Sequence, residues 1–105
     1  MKTFYHATSF DNLDSILESG LKSYGDCVYM TENEIDSVKF LVIRLIPKIV
    51  TLKIRIKEKD MNNVHETFDH SQRYFGCRAF GYYGDIEVDR ITVSKIYDNP
   101  LFDTH

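Results

Sequence analysis

Residues 49–56 read IVTLKIRI, and they fix the kind of architecture open to this chain. Val50, Leu52, Ile54 and Ile56 alternate with Thr51, Lys53 and Arg55, the two-residue period of an extended strand. Two stretches of helical spacing precede it. Over residues 10–19, Leu13, Ile16 and Leu17 form one apolar stripe behind a Thr8 or Ser9 cap, and Gly20 is a left-handed stop. Over residues 32–45, Ile35, Val38, Leu41, Val42 and Leu45 mark a second amphipathic helix, which Pro47 ends.

Shorter β-prone runs complete the pattern: 2–6 (KTFYH), 27–31 (CVYMT), 80–83 and 91–97 (ITVSKIY). Residues 24–26 read as a turn, and 60–72 as a long polar loop without periodicity. Early helices and late strands predict an α+β domain on a small, antiparallel or mixed sheet. At 105 residues there is room for one such domain and no second.

The net charge of −3 removes non-specific attraction to nucleic acid as a default. Cys27 and Cys77 lack metal or redox spacing and read as two free thiols of a reducing, cytoplasmic compartment in preference to a structural disulfide. The apolar run at 40–50 is broken by Arg44, Pro47 and Lys48, so no membrane span is expected. Met1-Lys2 leads directly into a strand, so no signal peptide is expected either.

Three groups could carry chemistry. Tyr5-His6-Ala7-Thr8-Ser9 lies where a strand gives way to a helix, an edge that leaves backbone groups for a ligand; taken alone, the segment reads more simply as His6 finishing the strand while Thr8 or Ser9 caps the helix. Tyr29 alone reads as strand packing, and Phe40, eleven residues on, as core. His65 and His70 are spaced five apart in a loop without a third strong partner, so no metal is expected.

Taken in order, these pieces resemble the ADP-ribosyltransferase superfamily of the diphtheria-toxin and PARP type. The matching positions are His6-Ala7-Thr8, the helix block Ser15-Ile16-Leu17-Glu18-Ser19-Gly20-Leu21-Lys22, Tyr29, and Phe40 eleven residues later. The third block of the family opens a strand with a glutamate, then an aromatic, a tyrosine, a glycine and two isoleucines. Here Phe80, Tyr82, Gly84, Ile86 and Ile91 fit, but Ala79 stands at the glutamate position.

The resemblance implies a split β-sheet with two N-terminal helices around an NAD cleft. NAD is then the substrate, held by the backbone of Ala7, by His6 and Thr8 on the adenosine side, and by Tyr29 and Phe40 stacked on nicotinamide. Each stacked ring pair contributes about 0.5–1.5 kcal/mol. Lys22 or Arg44 would meet the pyrophosphate. The reaction breaks the nicotinamide–ribose bond through an oxocarbenium-like state that a carboxylate stabilises. With His6 and Tyr29, position 79 would form the catalytic set.

Three readings of Ala79 stand open. A substitution has removed the glutamate of an active enzyme, the reading favoured by the intact remaining motifs; or the chain is a pseudoenzyme that binds NAD or a partner; or Glu87, Asp85 or Glu66 serves instead. The leading expectation is a mono-ADP-ribosyltransferase of the kind found among phage-encoded anti-defence effectors and bacterial toxins. It would act as a monomer on a macromolecular acceptor, protein rather than nucleic acid, recognised by residues 60–72 and 74–78. An RNA 2′-phosphotransferase is a further alternative, weakened by the few basic residues at comparable places.

Overall fold

The computed structural model describes residues 1–23, 27–67 and 79–99, without the side chains of Phe40 and Ile43. Six strands run through these residues: β1 (Lys2–Ser9), β2 (Val28–Thr31), β3 (Lys48–Ile56), β4 (Val64–Thr67), β5 (Ala79–Tyr82) and β6 (Ile91–Asp98). They form one sheet in the order β4-β5-β2-β1-β3-β6, with every neighbouring pair antiparallel. Helices α1 (Leu13–Ser19) and α2 (Glu34–Ile43) complete an α+β domain.

The strand that dominates the sequence sits near one end of the sheet, between β1 and β6. Ile49, Val50, Thr51 and Leu52 are all buried, so both faces of β3 are covered there. On one face Val50, Leu52, Ile54 and Ile56 join Phe4, Ile16, Leu21, Val28, Met30, Phe80, Tyr82, Ile86 and Ile91 in the main core. Helix α2 packs on β1 and β3 and covers the other. Its first residue, Glu34, fixes it: one carboxylate oxygen accepts from Thr51 Oγ1 (2.7 Å), Ser94 Oγ (3.0 Å) and Tyr97 OH (3.2 Å). At the other end, Asn99 Nδ2 donates to the carbonyl of Val42 in the last turn and to that of Ile46 just beyond the helix.

Several boundaries differ from the periodicity reading. The first strand runs three residues further, to Ser9, because β3 pairs with all eight of its residues. The first helix opens as a 3₁₀ turn, Phe10–Asn12, before α1 begins at Leu13. Helix α2 is shorter at both ends than 32–45; Leu45 already stands at φ 60°. The expected loop over 60–72 instead holds the end of the 3₁₀ turn Glu58–Asn63 and then β4; positions 68–72 lie outside the described residues. VHET lacks an apolar alternation to announce it, and its strand character comes from pairing with β5.

Gly20 ends the first helix, though not in the left-handed helical region: φ is 82° and ψ −173°. A Cβ there would stand 2.3 Å from the carbonyl oxygen of Ile86. That close approach lets Leu21 and Ile86 exchange backbone hydrogen bonds of 2.9 and 2.8 Å, which bring the segment after α1 against the one after β5.

Candidate functional site

The sheet is narrowest at its middle. Between β1 and β2 the ladder is one pair long, Tyr5 opposite Thr31, whereas β1 and β3 share eight pairs. Beyond Tyr5 a side chain takes over: His6 Nδ1 lies 2.7 Å from the carbonyl oxygen of Tyr29, the geometry of an Nδ1–H donor. Burial pushes the His6 imidazole below its ordinary value of 6.5, against the opposing pull of the Tyr29 carbonyl. The ring is therefore neutral at pH 7, with Nδ1 protonated and Nε2 the acceptor nitrogen. An ion pair of 2.8 Å between Lys2 and Glu32 ties the outer side of the junction.

Position 79 belongs to the same junction. Ala79 is the β5 partner of Thr31, and Gly81 is the partner of Tyr29. Cross-strand partners share a face, so Tyr29, Thr31, Ala79 and Gly81 all point away from the main core, which holds Val28, Met30, Phe80 and Tyr82. Tyr29 and Ala79 are diagonal neighbours, about 7–8 Å apart in an antiparallel sheet. Tyr29 is 47% exposed, whereas Ala79 is 2% exposed. Thr67 of β4 flanks Ala79 on its other side and donates to the Ala79 carbonyl at 3.3 Å, while Thr31 donates to Asn33 O at 2.7 Å.

His6 and Thr8 lie on the core-side face, opposite Leu52 and Val50, and Ala7 lies on the α2 side opposite Thr51. From Thr8 a groove of ≈ 910 Å³ runs along α1 to the turn after β5. Its lining combines the polar side chains of Thr8, Asn12, Ser15 and Ser19, the apolar Ile16 and Leu21 with Gly20, and the cluster of Lys22, Ser23 and Asp85. Asn12 Nδ2 donates to Thr8 Oγ1 at 3.0 Å. Asp85 Oδ1 accepts from the backbone N–H of Ser23 (2.9 Å) and from its hydroxyl (3.3 Å), and Oδ2 lies 3.8 Å from Lys22 Nζ. The Ser23 N–H first, and then the Lys22 charge, hold the Asp85 carboxyl below the ordinary carboxylate value. Hydroxyls, an amide, one cation and one anion beside two apolar side chains suit a sugar phosphate better than an apolar ligand.

No family model matches the sequence, and no curated protein matches it.

Of the residues singled out from sequence, the fold brings the backbones of His6, Tyr29 and Ala79 to one junction, and Thr8 and Lys22 into one groove on the core-side face, the side from which the Tyr29 and Ala79 side chains point away. The Phe40 side chain, His70, Cys77 and positions 74–78 lie outside the described residues. Arg44 is exposed beyond the end of α2 and is not part of the groove lining. His65 stacks edge-on against Tyr83 with ring centroids 5.3 Å apart, and among the described residues no three His, Cys, Asp or Glu side chains gather for a metal.

The alternative carboxylates separate as well. Glu66 is the partner of Phe80 and so belongs to the opposite face from Ala79. Asp85 is held at the far end of the groove, and Glu87 is exposed on the following turn. Cys27 is buried with its sulfur over Gly81, where an added Cβ would meet it at 2.7 Å. The sequence reading missed Asn12, Ser15, Ser19 and Ser23. The first three had a signal: Asn12, Ser15 and Ser19 recur at i, i+3 and i+7, a polar stripe along a helix.

Proposed function

We propose that this chain is an NAD-binding domain of the ADP-ribosyltransferase type, with Ala79 at the position of the reaction's carboxylate. One observation carries the reading. Three sequence blocks separated by dozens of residues meet where β1 and β2 share a single backbone pair, with His6 hydrogen-bonded to Tyr29 and Ala79 diagonal to Tyr29.

In this reading Thr8, Asn12 and Lys22 hold the adenosine diphosphate half of NAD, and the exposed Tyr29 ring stacks on nicotinamide. Neutral His6 keeps the Tyr29 carbonyl, and with it the β2 backbone, in a fixed place beside the bond to be broken. Cleavage of the nicotinamide–ribose bond builds positive charge on the ribose, and a carboxylate at 79 would lie on the Tyr29 face to stabilise it. The methyl group of Ala79 cannot, so the chain as it stands binds and orients NAD without transferring ADP-ribose. The acceptor is a macromolecule, a protein in preference to a nucleic acid given the net charge of −3.

The test pairs calorimetry with turnover. The native chain is titrated with NAD, and the native chain and Ala79→Glu are incubated with radiolabelled NAD and a cell extract. Binding by both, with nicotinamide release and label transfer by Ala79→Glu alone, is the expected outcome. Absence of NAD binding to either chain overturns the proposal.

A second reading, a non-catalytic NAD-binding module, draws on the surroundings of Ala79. The hydroxyls of Thr31 and Thr67 beside it are already committed to Asn33 and Ala79 carbonyls, and neither Glu66 nor Asp85 reaches its face. NAD binding that persists in Ala79→Glu without any turnover decides for the module.

A further inference from the structure

Past Thr51, where Glu34 anchors α2, the sheet face that carries Tyr29 and Ala79 becomes basic. Position 79 lies in one cross-strand row, Ala79–Thr31–Tyr5–Lys53, whose members share a face. The two-residue alternation of β3 sets Lys53 and Arg55 on that face, while Ile54 and Ile56 point into the core. Lys57, still extended at φ −71° and ψ 153°, continues the series. Lys53 and Lys57 are exposed. Arg55 is half-buried and its hydrogen bonds go to neutral acceptors, Nη1 donating to Thr92 Oγ1 (3.0 Å) and Nη2 to the Asp89 carbonyl (3.2 Å). Among the described residues the ion pairs engage Lys2, Lys22, Lys39 and Arg90, and none engages these three. Three cations without a carboxylate partner thus line one strand of a chain whose net charge is −3.

We infer that Lys53, Arg55 and Lys57 dock an extended acidic segment of the protein acceptor. The inference rests on the ADP-ribosyltransferase reading above and names the chemistry by which the acceptor is held. Alternate residues of a strand stand about 6.6–6.8 Å apart, so carboxylates at alternate positions of an extended segment meet the three cations in register. Thr92 and Asp89 already orient the Arg55 fork, so little side-chain freedom is lost when it pairs. Lys53 stands three strand spacings, about 14 Å, from Ala79, a gap that roughly four extended residues cross. A segment seated on the strip therefore brings its neighbouring residues to the Tyr29–Ala79 junction. A nucleic acid fits less well, because a continuous polyanion runs beyond the strip onto an acidic protein.

The experiment measures binding by fluorescence anisotropy, without NAD, for a short labelled peptide that alternates glutamate and serine. Its glutamine counterpart and a single-stranded oligothymidylate of matching length are the comparisons. The native chain should bind the acidic peptide about tenfold more tightly than the glutamine peptide, with an affinity that falls as salt rises. In Lys53→Met/Lys57→Met that ratio should drop to near one, with an unchanged melting curve because both side chains are exposed. Lys48→Met, which removes one charge from the opposite face of β3, should alter it by less than about twofold. Equal affinity of the native chain for the two peptides, or an unchanged ratio in the double variant, overturns the inference. Tighter binding of the oligothymidylate, lost in the same variant, overturns it in favour of a nucleic-acid surface. NAD affinity, measured in parallel, should be the same in all three chains. A native chain that discriminates the peptides but binds no NAD loses the catalytic reading and keeps the docking surface. One that binds NAD without discriminating them loses the docking surface alone.

Discussion

His6 and Tyr29 are joined by a side-chain hydrogen bond of 2.7 Å at the point where the β1–β2 backbone ladder stops after one pair. The imidazole thus joins the Tyr5–Thr31 backbone pair and the Lys2–Glu32 ion pair in tying β1 to β2.

His6→Ala should cost about 1 kcal/mol in denaturant unfolding, the usual net worth of one such bond, and should weaken NAD binding further by loosening β2. The His6 imidazole should titrate below 6.5 by NMR, since burial lowers it. The unfolded chain then takes up its proton first as pH falls, so this residue's stability contribution is complete above 6.5 and declines as pH drops towards the folded-state midpoint. A His6 midpoint at or above 6.5 would contradict this.

Glu34 should give a second, more acidic transition. Burial opposes its ionisation, but the hydroxyls of Thr51, Ser94 and Tyr97 and the charge of Lys95 outweigh it and leave the carboxyl below its ordinary 4.5. Stability present above that value is lost as pH falls through the folded-state midpoint. Glu34→Gln keeps an acceptor for the three hydroxyls and removes the titrating group. Its acid unfolding profile should be shallower below pH 4.5 than that of the native chain, and superimposable profiles would show that Glu34 does not couple to folding.

Gly20→Ala should be among the most disruptive small substitutions, at roughly 2 kcal/mol or more. It combines a positive φ of 82° with a Cβ 2.3 Å from the Ile86 carbonyl. Because Gly20 and Leu21 line the groove, dinucleotide affinity should fall with stability. Thermal unfolding within error of the native chain would refute the clash.

Arg90 and Asp60 pair between the turns that follow β3 and precede β6, with side chains 14% and 21% exposed. Asp60→Leu alone should cost roughly 2–4 kcal/mol, because it strands a largely buried guanidinium. Asp60→Leu/Arg90→Met should cost less than the sum of the two single changes, and a double-mutant cycle on urea midpoints measures the difference. Strict additivity would mean that the pair does not interact.

How much of this was legible in advance depends on the range of the interactions involved. The period of IVTLKIRI, the apolar stripes of both helices and the stop at Gly20 are local patterns, and each element appears within a few residues of its reading. Boundaries shifted where a partner strand decided them. β1 extends to Ser9 because β3 pairs with it, and the polar VHET becomes β4 because β5 supplies its ladder. The same holds at the candidate site. The order of His6, Tyr29 and Ala79 was visible, but their meeting rests on the Tyr5–Thr31 and Thr31–Ala79 register, which no local pattern encodes.

Asp85 is the plainest case. In the sequence it is an acidic residue in a turn, weighed only as a spare carboxylate. Its link to Ser23 spans 62 residues and exists because the Leu21–Ile86 bridge aligns two segments remote in the chain. Local side-chain periodicity determined both helices and the strands other than β4, since burial of one face is decided residue by residue. Only tertiary structure decided which residues share a junction and a groove, because strand register and loop closure depend on backbone hydrogen bonds between distant segments.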